Sequence, residues 1–302
     1  MPKGGDAMKS LFMIRAEREC AVWIKNCTES DAPRLASEVY PADVRIDEDV
    51  NWSGDPLNLT LDYYRPFNVD SSKECFLLIH GGAFVYGTKV LDKCFGMHLA
   101  RYSGIPVANM DYTLMPQAGM SKILGQIFSC MNFLTAKYGI EKFHLTGDSA
   151  GGYLALISSL AARNSHIAHD LWVFEKLKGQ VISAGLVCGG FRQHPKGFPG
   201  IFFEEKQTGS SKEKQRLPDY VYDLSKIAGR DSELKVALIT GEDDFLRHDN
   251  IAIKEEFNNP LFYDAKNDGE LHMHHVFPIA HPEWPQSQKA IQLISDNATR
   301  KL

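Results

Sequence analysis

Short apolar runs recur along the chain, and between them apolar positions fall at helical spacing. Cys75-Phe76-Leu77-Leu78-Ile79, Pro106-Val107-Ala108-Asn109-Met110, Lys142-Phe143-His144-Leu145, Val181-Ile182-Ser183-Ala184-Gly185-Leu186-Val187 and Lys235-Val236-Ala237-Leu238-Ile239-Thr240 read as strands. Such continuous runs suit a parallel sheet covered on both faces. Helices are predicted from about Leu91 to Tyr102, closed by Gly104 and Pro106, and from Met120 to Tyr138, with Ile123, Ile127, Met131 and Leu134 in near-helical register and Gly139 as the stop. Tyr153 to Ala162 and Trp284 to Lys301 make two more, the last with Ala290, Ile291, Leu293 and Ile294 inward. This alternation predicts an α/β fold, a mostly parallel central sheet with helices on both faces.

The flanking segments are less regular. Residues 7–26 place Met8, Leu11, Phe12, Ala21, Val22 and Ile24 among charges, as in one or two amphipathic helices. Residues 31–41, from Asp31-Ala32-Pro33 to Tyr40-Pro41, read as a linker. Val44 to Asp47 and Leu57 to Tyr64 alternate as strands, with Ser53-Gly54-Asp55-Pro56 as the turn between them. Residues 191–227 break the rhythm with Pro195, Pro199 and Pro218, the aromatics Phe191, Phe198, Phe202, Phe203, Tyr220 and Tyr222, and charges around Lys212-Glu213-Lys214; they read as an insertion with short helices. Glu270 to His274 is expected as the last strand.

Composition narrows the class. A chain of 302 residues, 44% hydrophobic, can bury a large core and still form one domain. A net charge of -5 with no basic stripe argues against nucleic acid. Cys20, Cys27, Cys75, Cys94, Cys130 and Cys188 form no C-x-x-C pair and suit a reducing compartment, Cys20 with Cys27 being the conceivable disulfide. No apolar run approaches the ~20 residues that span a bilayer, and Leu11-Phe12-Met13-Ile14 is too short and too soon followed by charge for a signal peptide. A cytoplasmic protein is expected.

The candidate chemistry centres on Thr146-Gly147-Asp148-Ser149-Ala150-Gly151-Gly152, where a strand meets a helix. The G-x-S-x-G spacing puts Ser149 on a sharp turn with its hydroxyl exposed, and the two glycines relieve collisions with neighbouring chain. The Ala150 amide falls at a helix N-terminus, where N–H groups favour negative charge. A serine hydroxyl needs a neighbouring base, and the base needs an acid to hold its tautomer. After the strand ending at Thr240, three carboxylates compete: Glu242, Asp243 and Asp244. Four histidines stand near the last predicted strand: His272, His274, His275 and His281. Strand alternation points His272 and His274 to one face, toward the core, and leaves His275 at the mouth. The spacing of these histidines fits no metal motif well.

The order Ser149, Asp244, His275 matches the serine–acid–histidine order of α/β-hydrolases. His80-Gly81-Gly82 and Gly147-Asp148-Ser149-Ala150-Gly151-Gly152, with Asp111-Tyr112 between them, resemble the hormone-sensitive-lipase-like carboxylesterases over roughly residues 58 to 300. The resemblance implies an α/β-hydrolase fold with a helical cap, built here from residues 1–40 and 191–227 on a single domain. It implies Ser149 as nucleophile, Asp244 as the acid of a G-x-x-D-x-L segment and His275 as base. It also implies an oxyanion hole from the amides of Gly81, Gly82 and Ala150, with His80 bracing the loop. The aromatics of the two cap pieces are expected either to line the substrate pocket or only to pack the cap. The sequence departs from the family at Ala83, Thr113, Gln117 and Val276. The activity implied is cleavage of carboxylic esters without metal or cofactor, the partner a small-molecule ester, and the candidate assembly a homodimer. Amide hydrolysis, acyl transfer or a non-catalytic ligand receptor are the alternatives on the same scaffold.

Overall fold

A computed structural model describes residues 11–54, 58–194, 202 and 217–301. Its centre is an eight-stranded sheet in the order β1-β2-β4-β3-β5-β6-β7-β8. The strands are β1 (Val44–Asn51), β2 (Thr60–Pro66), β3 (Glu74–Ile79), β4 (Val107–Met110), β5 (Lys142–Asp148), β6 (Gln180–Val187), β7 (Lys235–Gly241) and β8 (Leu261–Ala265). β1 and β2 run antiparallel to their neighbours, and β3 to β8 are mutually parallel.

Each parallel strand divides its side chains between two cores, because successive residues face opposite sides of a sheet. Leu77 and Ile79 join Val236 and Leu238 on one side; Phe76 and Leu78 join Ala237 and Ile239 on the other. The first side is covered by α1 (Leu11–Ser37), α3 (Met120–Tyr138) and α4 (Ser149–Arg163), through Cys20, Ile123, Ile127, Leu154 and Ile157. The second is covered by α2 (Lys93–Ser103) and by the closing helix Pro285–Thr299, through Phe95, Leu99, Ile291 and Ile294. Full burial of one such side chain is worth about 1.5–3 kcal/mol. Gly104 and Gly139 cap α2 and α3 in the left-handed conformation, at φ 69° and 73°, so the predicted stops are the observed ones.

Two expectations from the sequence are corrected. The linker predicted at 31–41 is helical through Ser37, with Pro33 inside α1. Tertiary contacts hold this last turn: Tyr86 donates to Asp31 Oδ2 at 3.0 Å, and Arg34 donates to the Leu91 carbonyl at 3.3 Å while pairing with Glu38. The last strand is not Glu270–His274 but Leu261–Ala265, which pairs with β7 from Ala237↔Leu261 to Gly241↔Ala265. It lies at the sheet edge and is only half covered, so it lacks a continuous apolar run. Residues 270–274 instead run past the end of β7 and make isolated bridges, Asp268↔Leu271 and Asp243↔His274.

The predicted turn at Ser53 to Pro56 lies partly outside the described residues, as does most of 191–227, including Pro195, Phe198, Pro199 and Phe203. The six cysteines are free, Cys20 and Cys27 among them. Among the described residues no helix is long and apolar enough to cross a membrane.

A buried ion pair fastens the loop after β3 to the sheet. Lys89 Nζ donates to Asp62 Oδ1 at 2.6 Å and to Asp49 Oδ1 at 2.8 Å, and Lys89 and Asp62 are only 6% and 2% exposed. The Lys89 amide donates to Asp111 at 2.7 Å, and Asn109 Nδ2 donates to the Lys89 carbonyl at 2.7 Å. Removing one partner of such a pair strands a buried charge, at a cost of about 3–5 kcal/mol. Lys89→Met is therefore expected to lower stability by about that amount in urea unfolding. Adding Asp62→Asn to it should restore part of the loss. A single variant as stable as the parent would show that the pair does not hold the loop.

Candidate active site

Ser149 sits between β5 and α4 at φ 49°, in the left-handed region. This strained turn exists because neighbouring backbone fits where side chains would not. A Cβ on Gly147 would overlap the Ile79 carbonyl oxygen, and one on Gly151 would overlap the carbonyls of both Ile79 and His80. The end of β3 therefore lies directly against the turn.

The histidine and acid arrive from loops at the same sheet edge. His275 Nε2 stands 2.9 Å from Ser149 Oγ, and His275 Nδ1 stands 2.7 Å from Asp244 Oδ1. Of the three competing carboxylates, only Asp244 reaches this histidine. Asp243 pairs with His272 at 2.8 Å, and Glu242 accepts from the Asn267 amide at 3.0 Å. Asp244 is 5% exposed and accepts two further hydrogen bonds, from the Leu246 amide at 2.9 Å and from Thr240 Oγ1 at 2.8 Å. Burial alone would raise its pKa, but the bond and charge of His275 together with these donors hold it below the ordinary carboxylate range. Thr240 was invisible as a contributor in the sequence, being the final residue of an apolar strand.

His272 and His274 do share a face, but the face is solvent and not the core. Their rings stack with centroids 5.5 Å apart. His281 stacks on Trp284, 4.0 Å between centroids. None of the three takes the place of His275 beside Ser149.

The loop after β3 departs from expectation at one atom. The Gly81 amide, expected as an oxyanion donor, donates to Asp148 Oδ1 at 2.8 Å. Gly82, Ala83 and Phe84 follow at φ 98°, 50° and 66°, and the Gly82 carbonyl accepts from both Val85 and Tyr86 at 3.0 Å. Among the described residues the Gly82 and Ala83 amides have no acceptor, and the Ala150 amide lies in the first turn of α4, where no intrahelical acceptor exists. His80 is wholly buried; burial pushes it down to about 4, so its ring is neutral. Its Nδ1–H donates to the Gly81 carbonyl at 2.8 Å and its ring stacks on Tyr112, while Tyr112 donates to the His80 carbonyl at 3.1 Å.

Beneath this loop lies an acid pair that sequence reasoning missed. Asp92 is 1% exposed and Asp148 5% exposed, and their carboxyl groups are within hydrogen-bonding reach. Two adjacent buried carboxyls cannot both ionise cheaply. Asp92 is pushed well above the usual carboxylate range, first by burial and then by Asp148, with Glu38 adding to the rise and Arg34 opposing it. Asp148 accepts from the Gly81 amide, which favours its charge, so the shared proton resides on Asp92. Asp92 thereby positions Asp148, and Asp148 positions the Gly81–Gly82 turn.

A cavity of about 500 Å3 opens over Ser149 and His275. Its walls include Tyr86 and Leu91 from the loop side, Phe245, Val276 and Ile279 from the histidine side, and Trp23, Cys27 and Asp31 from α1. Arg192 and Gln193 complete the rim. Among the described aromatics of 191–227, Phe191, Phe202 and Tyr220 are core residues, not lining.

The sequence profile of a family described as alpha/beta hydrolase fold matches residues 76–274, and the chain belongs to that family. Acetyl esterases of Salmonella paratyphi B and Salmonella schwarzengrund are 32% identical over 102 residues. That match spans 32% of this chain and 32% of theirs, so about a third of each protein is shared. Among solved structures, Esterase B from Lactobacillus rhamnosis superposes with a TM-score of 0.77 at 22% identity, covering 94% of this chain and 96% of that one. A bacterial heroin esterase superposes at 0.68 and 18% identity, covering 96% and 98%. At these identities the structural likeness establishes the fold.

The acid pair yields a prediction with a definite sign. Because folding raises the Asp92 pKa, its stabilising contribution is complete at pH below the unfolded value and is lost as pH rises through the folded one. Asp92→Asn keeps a donor to Asp148 and carries no proton to lose. Its melting temperature relative to the parent should rise steadily between pH 5 and pH 9 in a buffer series. Asp92→Ala should slow turnover roughly ten- to a hundredfold, because it frees the loop that Asp148 holds. Parallel melting curves for Asp92→Asn and parent across that range would refute the shared proton.

Proposed function

We propose that the protein is a serine carboxylesterase that cleaves carboxylic esters of small or medium size through an acyl-enzyme. The observation that carries this reading is the unbroken chain from Ser149 Oγ through His275 to Asp244, at 2.9 and 2.7 Å, on the floor of the cavity. The esterase names of the partial relatives and of the structural neighbours support it.

In this reading Ser149 attacks the ester carbonyl as His275 Nε2 takes its proton. Asp244, buried and triply bonded, holds Nδ1–H toward itself and stabilises the imidazolium. The carbonyl oxygen becomes an oxyanion and receives hydrogen bonds from the amides of Gly82, Ala83 and Ala150, each donor worth about 3 kcal/mol in the transition state. Gly81 serves that hole through Asp148 and not as a donor itself. The imidazolium gives its proton to the departing alcohol, and water repeats the sequence to release the acid.

The reading takes α1 as one piece of a cap over this site on a single domain; most of the other expected piece, 191–227, lies outside the described residues. The placement of Trp23, Cys27 and Asp31 in the cavity wall supports α1 in that role. The six free cysteines and acidic net charge favour a cytoplasmic setting.

Two measurements test the proposal. With p-nitrophenyl esters from acetate to decanoate, the parent should turn over the short and middle chains, and Ser149→Ala should lose roughly six orders of magnitude in kcat. A Ser149→Ala protein that keeps a tenth of the activity would end this reading. Asp244→Asn should lower kcat by about four orders of magnitude by favouring the wrong histidine tautomer. Asp243→Asn and Glu242→Gln should stay within about threefold of the parent, since neither carboxylate touches His275. If Asp243→Asn is the crippling change, the acid has been misassigned.

A further inference from the structure

Outside the cavity, a second group of chemically capable side chains stands on the surface. We propose that Asp243, His272 and His274 form a binding site for a divalent transition-metal ion of the zinc class. Each residue offers one ligand atom, and the three atoms lie within 4.8 Å of one another. Two imidazoles and a carboxylate are a donor set that suits zinc, nickel or copper and leaves positions open for water. Bonds of about 2.0–2.2 Å would set the ligand atoms roughly 3.4 Å apart. All three side chains are exposed, so small side-chain rotations close that gap at little cost.

The backbone that carries these ligands is fixed. Met273, between the two histidines, is wholly buried, which turns both rings outward together. The Asp243 amide donates to the Met273 carbonyl at 3.1 Å, and the His274 amide donates to the His272 carbonyl at 2.9 Å. Asn267 ties the parts together: its Oδ1 accepts from the Met273 amide at 2.8 Å, and its Nδ2 donates to Asp243 Oδ2 at 3.1 Å. A hydrogen-bonded carboxylate of this kind is the outer-shell support that metal ligands ordinarily have. Stability does not account for the cluster, because an exposed Asp–His contact contributes little to folding and makes no use of the second imidazole. A second trio of Cys188, Asp244 and His275 also brings its atoms together, but Cys188 is buried and Asp244 already accepts three hydrogen bonds. The outer trio is the accessible one, and its residues adjoin Asp244 and His275 in the chain. An ion there would brace both loops that reach Ser149.

The site stands independently of the ester-cleavage reading, and its test does not depend on activity. The full chain, stripped with chelator, is titrated calorimetrically with zinc chloride at pH 7.5. One ion per chain should bind in the micromolar range, and His272→Ala/His274→Ala should weaken binding by at least about tenfold. Asp243→Asn should weaken it by a smaller factor, and His275→Ala should leave it unchanged. Saturating zinc should raise the melting temperature of the parent by a few degrees and leave that of the double variant unmoved. Copper bound to the parent should show coupling to two imidazole nitrogens by electron paramagnetic resonance. The double variant should fold and turn over esters within about twofold of the parent, since both side chains are on the surface. Equal zinc affinity in the parent and the double variant, or no binding up to millimolar zinc, would overturn the proposal. So would loss of binding in His275→Ala, which would put the ion in the Ser149 cleft.

Discussion

The close approach of the end of β3 to the turn at Ser149 constrains the whole site. The Ile79 and His80 carbonyls occupy the space that side chains on Gly147 and Gly151 would fill. Two consequences follow. The serine is held at φ 49°, a conformation that costs free energy and persists only because the surrounding structure leaves no alternative. The loop that begins at His80 is also brought within one hydrogen bond of Asp148, the residue just before the serine. Ser149 and the backbone after β3 are thus held together by direct packing and one hydrogen bond.

The charges around this turn are arranged by burial. His80 is kept neutral by burial, so it braces the Gly81 carbonyl as a fixed donor without adding a cation near the cavity. Asp92 keeps its proton for the same reason and gives Asp148 a donor on one side, while Gly81 supplies one on the other. Asp244 is the opposite case. Burial works against its charge, but His275, Leu246 and Thr240 together outweigh it, so the carboxylate beside His275 stays ionised. Of these three buried ionisable groups, burial holds two neutral and hydrogen-bonding partners hold the third charged.

The cavity is built from parts remote in sequence. Its floor is the sheet edge that holds Ser149 and His275, and one wall is α1, whose last turn is fastened through Asp31 to Tyr86 and through Arg34 to Leu91. Tyr86 also meets Trp23 edge-on with centroids 6.1 Å apart. The same loop that supplies the amides therefore anchors the helix that encloses them, and a shift of α1 would be felt at both.

The sequence by itself determined the central strands, the helices between them, and the turn at Ser149. Parallel strands covered on both faces must be apolar throughout, and a serine between two spaced glycines at a strand end has few other uses. It did not reveal β8, because an edge strand is half wet and carries no such run. It misread 31–37 as a linker, because what keeps the chain helical past Pro33 is contact with Tyr86 and Leu91, not local propensity. The order of chemical groups along the chain was legible; the commitment of each atom was not. Three consecutive carboxylates, Glu242, Asp243 and Asp244, are equivalent in sequence, and only packing sends the third inward to His275 and the second outward to His272. Gly81 and Gly82 look alike in a glycine loop, yet the Gly81 amide is consumed by Asp148 while that of Gly82 has no acceptor among the described residues. Asp92 carried no signal at all, being 56 residues from its partner. Side-chain orientation and long-range proximity are properties of the folded backbone, and tertiary structure decided them.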